Sequence, residues 1–156
     1  SGLAWDAPCP FADGQTLAQA LMTPTKLYVH QVLNLHHAGL LQAAAHITGG
    51  GLPGNLPRIL PHGLRAVIDA TWPVPPVFDW LAQVGQVSTQ EMLRVFNCGL
   101  GMILVTREPK AVMKHLLDAG ESAHIIGRID AAEDAEAAAS LEMKVDPAFG
   151  TAGAGA

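Results

Sequence analysis

Charge is scarce in this chain. Only 15% of its 156 residues are Asp, Glu, Lys or Arg, and the formal net charge is −5. No basic block or Arg-rich stripe is present, so nucleic acid is excluded as an expected partner. Long apolar runs are also missing: none approaches the roughly 18 residues that a membrane-spanning helix requires. The opening stretch, SGLAWDAPCPFADG, has no basic segment followed by an apolar one and does not read as a signal peptide. Cysteine is confined to Cys9 and Cys98, which cannot make a disulfide framework, so a reducing, cytoplasmic setting fits. Metal-ligand spacing is lacking as well. There is no Cys-x-x-Cys and no His pair at i, i+4, and the adjacent His36 and His37 would lie about 100° apart on a helix. No metal site is expected among these residues.

What the chain does have is apolar content, at 49%, enough for one domain with a core. Residues 1–15 carry Pro and Gly and read as a lead-in segment. TLAQALM (16–22) is predicted as a short helix capped by Thr16 and ended by Pro24, and KLYVHQVLNLHHAG (26–39) as a longer one. In the latter Tyr28, Val32 and Leu35 share an apolar stripe with Val29 beside it, and Gly39 fits the position after the helix end. LQAAAHIT (41–48) reads as a buried strand. NLPRIL (55–60) reads as a short helix with Asn55 as N-cap.

LRAVIDA (64–70) is a predicted strand. VFDWLAQVG follows Pro75 and Pro76 as a helix with Gly85 after its end. STQEMLRVF (88–96) opens with a capping-box pattern, Ser88 and Glu91. GMILVT (101–106) is an apolar strand, and EPKAVMKHLLDAG (108–120) a helix striped by Val112, Met113, Leu116 and Leu117. AHIIGRI (123–129) and SLEMKV (140–145) are strands, the second turning Leu141, Met143 and Val145 inward. The expected fold is thus α/β (α+β), a mixed β-sheet with helices mainly on one face. The expected domain is 16–146, with 147–156 as a disordered tail.

The sharpest local feature is HITGGGLPGNLPRILP (46–61), where Gly49, Gly50 and Gly51 lie between a strand and a helix start. Glycine admits φ > 0 and lets a ligand approach backbone N–H groups, and a helix start adds unpaired donors. Strand, glycine loop and helix start together suit a phosphate. The motif is neither a Walker A nor a Gly-x-Gly-x-x-Gly fingerprint. The residues alone leave a phosphate-holding loop and an ordinary flexible turn both open. His46 and Thr48 alternate at the strand end, so both side chains can face one ligand; a core histidine and a strand-end threonine are the other reading. FNCGLGM (96–102) is a second glycine turn before a strand, which puts Asn97 and Cys98 at the same end of the sheet. No charged neighbour would activate Cys98, so a structural thiol is expected.

PTKLYV, HITGGGLPGNLPRILP, VFDWLAQVG, EMLRVFNCGLGM and IIGRI occur in the order seen in aminoimidazole ribonucleotide synthetase, also called phosphoribosylformylglycinamidine cyclo-ligase. The chain resembles the C-terminal domain of that family over roughly residues 15–130, with Lys26 where the family usually has Arg. The resemblance implies an enzyme that closes the imidazole ring of formylglycinamidine ribonucleotide in purine synthesis, using ATP and Mg²⁺. It implies an N-terminal domain, absent from these residues, that supplies most of the ATP and Mg²⁺ site and the homodimer core. It further implies that this part alone is inactive. On the same basis His46 is the catalytic candidate, and Thr48, Gly49, Gly50, Gly51, Asn55 and Asn97 are candidates for holding a phosphate of substrate or ATP. Formylglycinamidine ribonucleotide synthetase, selenophosphate synthetase, thiamine-phosphate kinase and a hydrogenase maturation factor share the two-domain plan and are the enzyme alternatives. A stand-alone binding module is the non-enzymatic one.

Overall fold

The computed structural model describes residues 1–144. Helix α1 (Leu17–Leu21) starts where Thr16 and Gln19 cap one another: the Gln19 N–H donates to Thr16 Oγ1, and the Thr16 N–H donates to Gln19 Oε1. Residues 1–15 have no helix of their own but are tied to α1. The Leu17 and Ala18 N–H groups donate to the carbonyls of Ala7 and Trp5, and Cys9 is buried. Helix α2 (Val29–His37) begins after Tyr28 and ends before Gly39, whose φ of +71° is the left-handed conformation expected after a helix end.

Strand β1 (Ala43–His46) pairs antiparallel with β3 (Met102–Val105), with His46 opposite Met102. Strand β2 (Leu64–Ile68) is the centre of a second sheet, antiparallel to β4 (Gly127–Ala131) and parallel to β5 (Ser140–Met143). The strands therefore divide into a two-stranded ribbon and a mixed three-stranded sheet, β4-β2-β5. The expected mixed α/β architecture is present, built as two sheets among the described residues.

The ribbon separates two apolar cores. On one face Ala45 and Ile47 join Leu52, Leu56, Ile68, Trp72 and Met92, with Ile103 and Val105 packed against them. On the other, Leu104 packs with Leu35 of α2 and with Val112 and Leu116 of α6 (Pro109–Asp118). Alternation along paired strands puts His46 and Met102 on this second face.

Several boundaries depart from the expectation. The helix after the glycines starts at Gly51, not Asn55: α3 runs Gly51–Asn55, with a 3₁₀ turn at Leu56–Ile59. Asn55 makes no N-cap bond, because its side chain points back to carbonyls of the preceding loop. Helix α4 (Pro76–Gly85) contains Gly85, and the left-handed residue after it is Gln86, with φ +50°. Ser88 caps α5 (Thr89–Val95) by accepting from the Glu91 N–H; the Glu91 carboxylate pairs with Arg94 and does not close the box. The strand expected at 123–129 begins only at Gly127. A Cβ there would stand 2.0 Å from the Val67 carbonyl oxygen, so the glycine is what lets β4 reach β2. Leu117 of the predicted α6 stripe is 59% exposed, since the helix buries only Val112 and Leu116. Val145 and the tail at 147–156 lie outside the described residues.

Candidate functional site

The two glycine turns lie side by side at one end of the β1–β3 ribbon. The Ile47 N–H donates to the Gly101 carbonyl at 2.9 Å, which joins the end of β1 to the FNCGLGM turn. Gly51 fits against the end of α5, where a Cβ would be 2.0 Å from the Leu93 oxygen and 2.9 Å from the Phe96 oxygen. The three glycines are therefore unequal. Gly51 has φ +55° and is buried against backbone, whereas Gly50 has φ +93° and is exposed. Gly49 is exposed, and a Cβ added there would meet nothing within 4 Å.

A trio of hydrogen bonds organises the loop from beneath. Asn55 is 8% exposed, and its Nδ2 donates to the carbonyl oxygens of Gly51 at 2.8 Å, Gly49 at 3.2 Å and Thr48 at 3.5 Å. The Gly51 N–H donates to the Thr48 oxygen at 3.1 Å. The N–H groups of Gly49 and Gly50 have no acceptor among the described residues. Thr48 is exposed at the loop's start.

His46 is exposed, which removes the core-histidine reading. Its ring meets the edge of Tyr28, with centroids 5.9 Å apart and planes at 61°. Tyr28 was expected on the helix stripe. It is instead the residue before α2, and its hydroxyl lies over Gly101, where a Cβ would stand 1.9 Å away. Three segments far apart in sequence, at Tyr28, His46–Gly51 and Asn97–Met102, are thus brought to one place. Beside them a groove of about 430 Å³ runs between the PTKLYV segment and the ribbon, lined by Lys26, Leu27, Tyr28, Val32, His46 and Met102 among others. Its walls are chiefly apolar. Sequence reasoning did not single out Tyr28, Lys26 or Met102 as site residues, although PTKLYV and FNCGLGM were the motifs that carry them.

Lys26 and the Gln31 amide both donate to Glu121, Gln31 at 2.5 Å. The Lys26 bond, with a smaller contribution from Gln31, holds the Glu121 carboxyl below its ordinary range. Asn97 Oδ1 accepts from the Gly99 N–H at 3.1 Å within its own turn. Cys98 is fully buried with φ +47°. Its Sγ lies 3.5 Å from the Met92 oxygen, and its carbonyl accepts from Trp72 Nε1 at 2.9 Å. Burial pushes the thiol up to about 11, so this is a structural cysteine and no nucleophile.

Among the described residues no group of three or more His, Cys, Asp or Glu side chains could hold a metal ion, and no helix is long and apolar enough to cross a membrane. Residues 2–139 match the model of the family described as AIR synthase related protein, C-terminal domain. The chain belongs to that family, part of a superfamily that includes several ATP-dependent ligases and synthetases.

Proposed function

We propose that this chain is the C-terminal part of a cytoplasmic cyclo-ligase that converts formylglycinamidine ribonucleotide to aminoimidazole ribonucleotide at the expense of ATP. In this reaction the formamide oxygen attacks the γ-phosphorus of ATP and ADP leaves. An amidine-side nitrogen then attacks the activated carbon, the C–O bond to phosphate breaks, and inorganic phosphate departs as the ring C–N bond forms and a proton is lost. Donors placed where negative charge collects are the main contribution a protein makes to such a step. In this chain those donors are the N–H groups at Gly49 and Gly50, which have no acceptor among the described residues and suit a phosphate of substrate or ATP. In this reading the exposed His46 accepts or returns a proton, and the exposed Thr48 orients the phosphate.

The described residues do not fit Mg²⁺, since they hold no acidic cluster. Mg²⁺ and most of the ATP contacts fall to the preceding domain of the full-length homodimer. The apolar groove and the exposed Leu27, Val29 and Leu33 beside it are the surface on which that domain would seat.

The observation that carries this reading is the convergence of the Tyr28, His46–Gly51 and Asn97–Met102 segments at one end of the ribbon. The test is steady-state phosphate release with ATP and formylglycinamidine ribonucleotide. The chain alone is expected to be inactive, and the chain joined to an N-terminal domain of the same family active. A joined enzyme that ignores this substrate but turns over selenide or glutamine would move the chain to one of the related synthetases. Turnover by the isolated chain would refute the division of labour.

A further inference from the structure

We propose that Asn55 is a positioning residue that presents the glycine loop's donors, rather than a residue that touches the ligand. The proposal deepens the reading of this loop as a phosphate cradle and rests on it. A trans peptide is planar, with its C=O and N–H pointing to opposite sides. Asn55 Nδ2, from within the protein, draws the Thr48, Gly49 and Gly51 carbonyls towards itself. The N–H groups across those same peptides belong to Gly49, Gly50 and Leu52, so all of them are turned away from Asn55. One buried carboxamide thereby sorts the loop into an inner row of carbonyls and an outer row of donors. The carboxamide has two hydrogens, and its shortest bonds, 2.8 Å to Gly51 and 3.2 Å to Gly49, use them. Gly50, at φ +93°, is the residue whose backbone must bend to let successive carbonyls reach a single donor.

The residue type follows from this geometry. Aspartate has nearly the same shape but no hydrogen to give, and its charge would face the carbonyls. Leucine has a similar volume and no polar group. Either change releases the Gly49 carbonyl, which has no other donor among the described residues, and the peptide that turns carries the Gly50 N–H inward; the Thr48 carbonyl keeps its bond from the Gly51 N–H.

The test is an NMR titration of this chain, and of Asn55→Asp and Asn55→Leu, with inorganic phosphate. The amides of Ala66 and Val67, buried in β2, serve as the fold control. In the wild type, the Gly49 and Gly50 amide resonances should move saturably with phosphate. In both variants the same resonances should already be displaced without phosphate, and phosphate affinity should drop at least about tenfold while the β2 resonances stay in place. Folded variants whose Gly49 and Gly50 resonances coincide with those of the wild type would overturn the proposal. Displaced loop resonances in the variants, together with a wild type that ignores phosphate, would uphold the hold of Asn55 on the loop and refute the phosphate reading. If the variants do not fold, the wild type decides. The Asn55 carboxamide protons must exchange at least about a hundredfold more slowly than those of exposed Asn34 and show scalar coupling across the hydrogen bond to the Gly51 carbonyl carbon. Fast exchange without that coupling would overturn the assignment.

Discussion

Three consecutive glycines invite the same substitution at each position, and the structure ranks the outcomes. At Gly49 an added Cβ meets nothing within 4 Å and the backbone is outside the left-handed region, so Gly49→Ala should lie within about 0.5 kcal/mol of wild type. At Gly50 the nearest atom to the new Cβ would be Gly54 Cα, at an ordinary 3.5 Å, but φ is +93°. The cost there is backbone strain alone, about 1–3 kcal/mol. Gly51 combines two penalties. Its φ of +55° costs an L-residue about 1–2 kcal/mol. Its Cβ would also lie 2.0 Å from the Leu93 oxygen and 2.9 Å from that of Phe96. Those are backbone atoms, so relief requires α5 to shift, and overpacking of this kind costs about 1–3 kcal/mol. Gly51→Ala should therefore lose about 2–5 kcal/mol, a large share of the roughly 5–15 kcal/mol typical of a domain. Urea unfolding followed by far-ultraviolet circular dichroism, with linear extrapolation, measures the series. The reasoning is refuted if Gly51→Ala is as stable as Gly49→Ala, because the contact with α5 would then not exist as described.

Two further outcomes follow from the cores and the surface. Cys98 keeps its proton up to about 11 when folded, against an ordinary 9.0, so the unfolded chain gives up that proton first as pH rises. Stability should accordingly fall between pH 9 and 11, by up to about 3 kcal/mol from this group. Urea midpoints of wild type and Cys98→Ser across that range would show parallel curves if the thiol were not responsible. The isolated chain should also self-associate through Leu27 and Val29, which are 79% and 59% exposed. Sedimentation over a concentration series should show this association weakened by Leu27→Glu with Val29→Glu, and a wild type that stays monomeric at high concentration would contradict it.

The elements were legible where a local rule decides them. Thr16, Ser88 and Gly39 mark helix ends by side-chain or backbone chemistry that acts within a few residues, and the structure uses all of them. The apolar runs at 64–68 and 102–105 became strands for the same reason. The failures share a different cause. The start of β4 is set by how closely Gly127 can approach the Val67 carbonyl, a partner 60 residues away. The exposure of Leu117 depends on which face of α6 meets Leu35 and Leu104. The split into two sheets is fixed by pairing, which strand composition does not encode.

The glycine triplet shows how a location can be readable when the roles within it are not. Pattern singled out one loop, and the structure puts the second glycine turn and Tyr28 next to it. Pattern could not tell that Gly51 serves packing against α5, that Gly50 serves the bend, and that Gly49 is free of both demands. Nor could it tell that an asparagine following a glycine loop, which looks like an N-cap, turns backwards. An N-cap uses its oxygen to accept from N–H groups ahead of it. Asn55 uses its nitrogen to donate to carbonyls behind it. Both arrangements bond backbone groups near a helix start, and both suit the same residue type at the same spacing. They have opposite consequences for an anion: the first consumes N–H donors, whereas the second leaves them exposed. Whether the loop's donors face outward therefore turns on the direction of one carboxamide, a property of the folded backbone that no reading of residue order supplies.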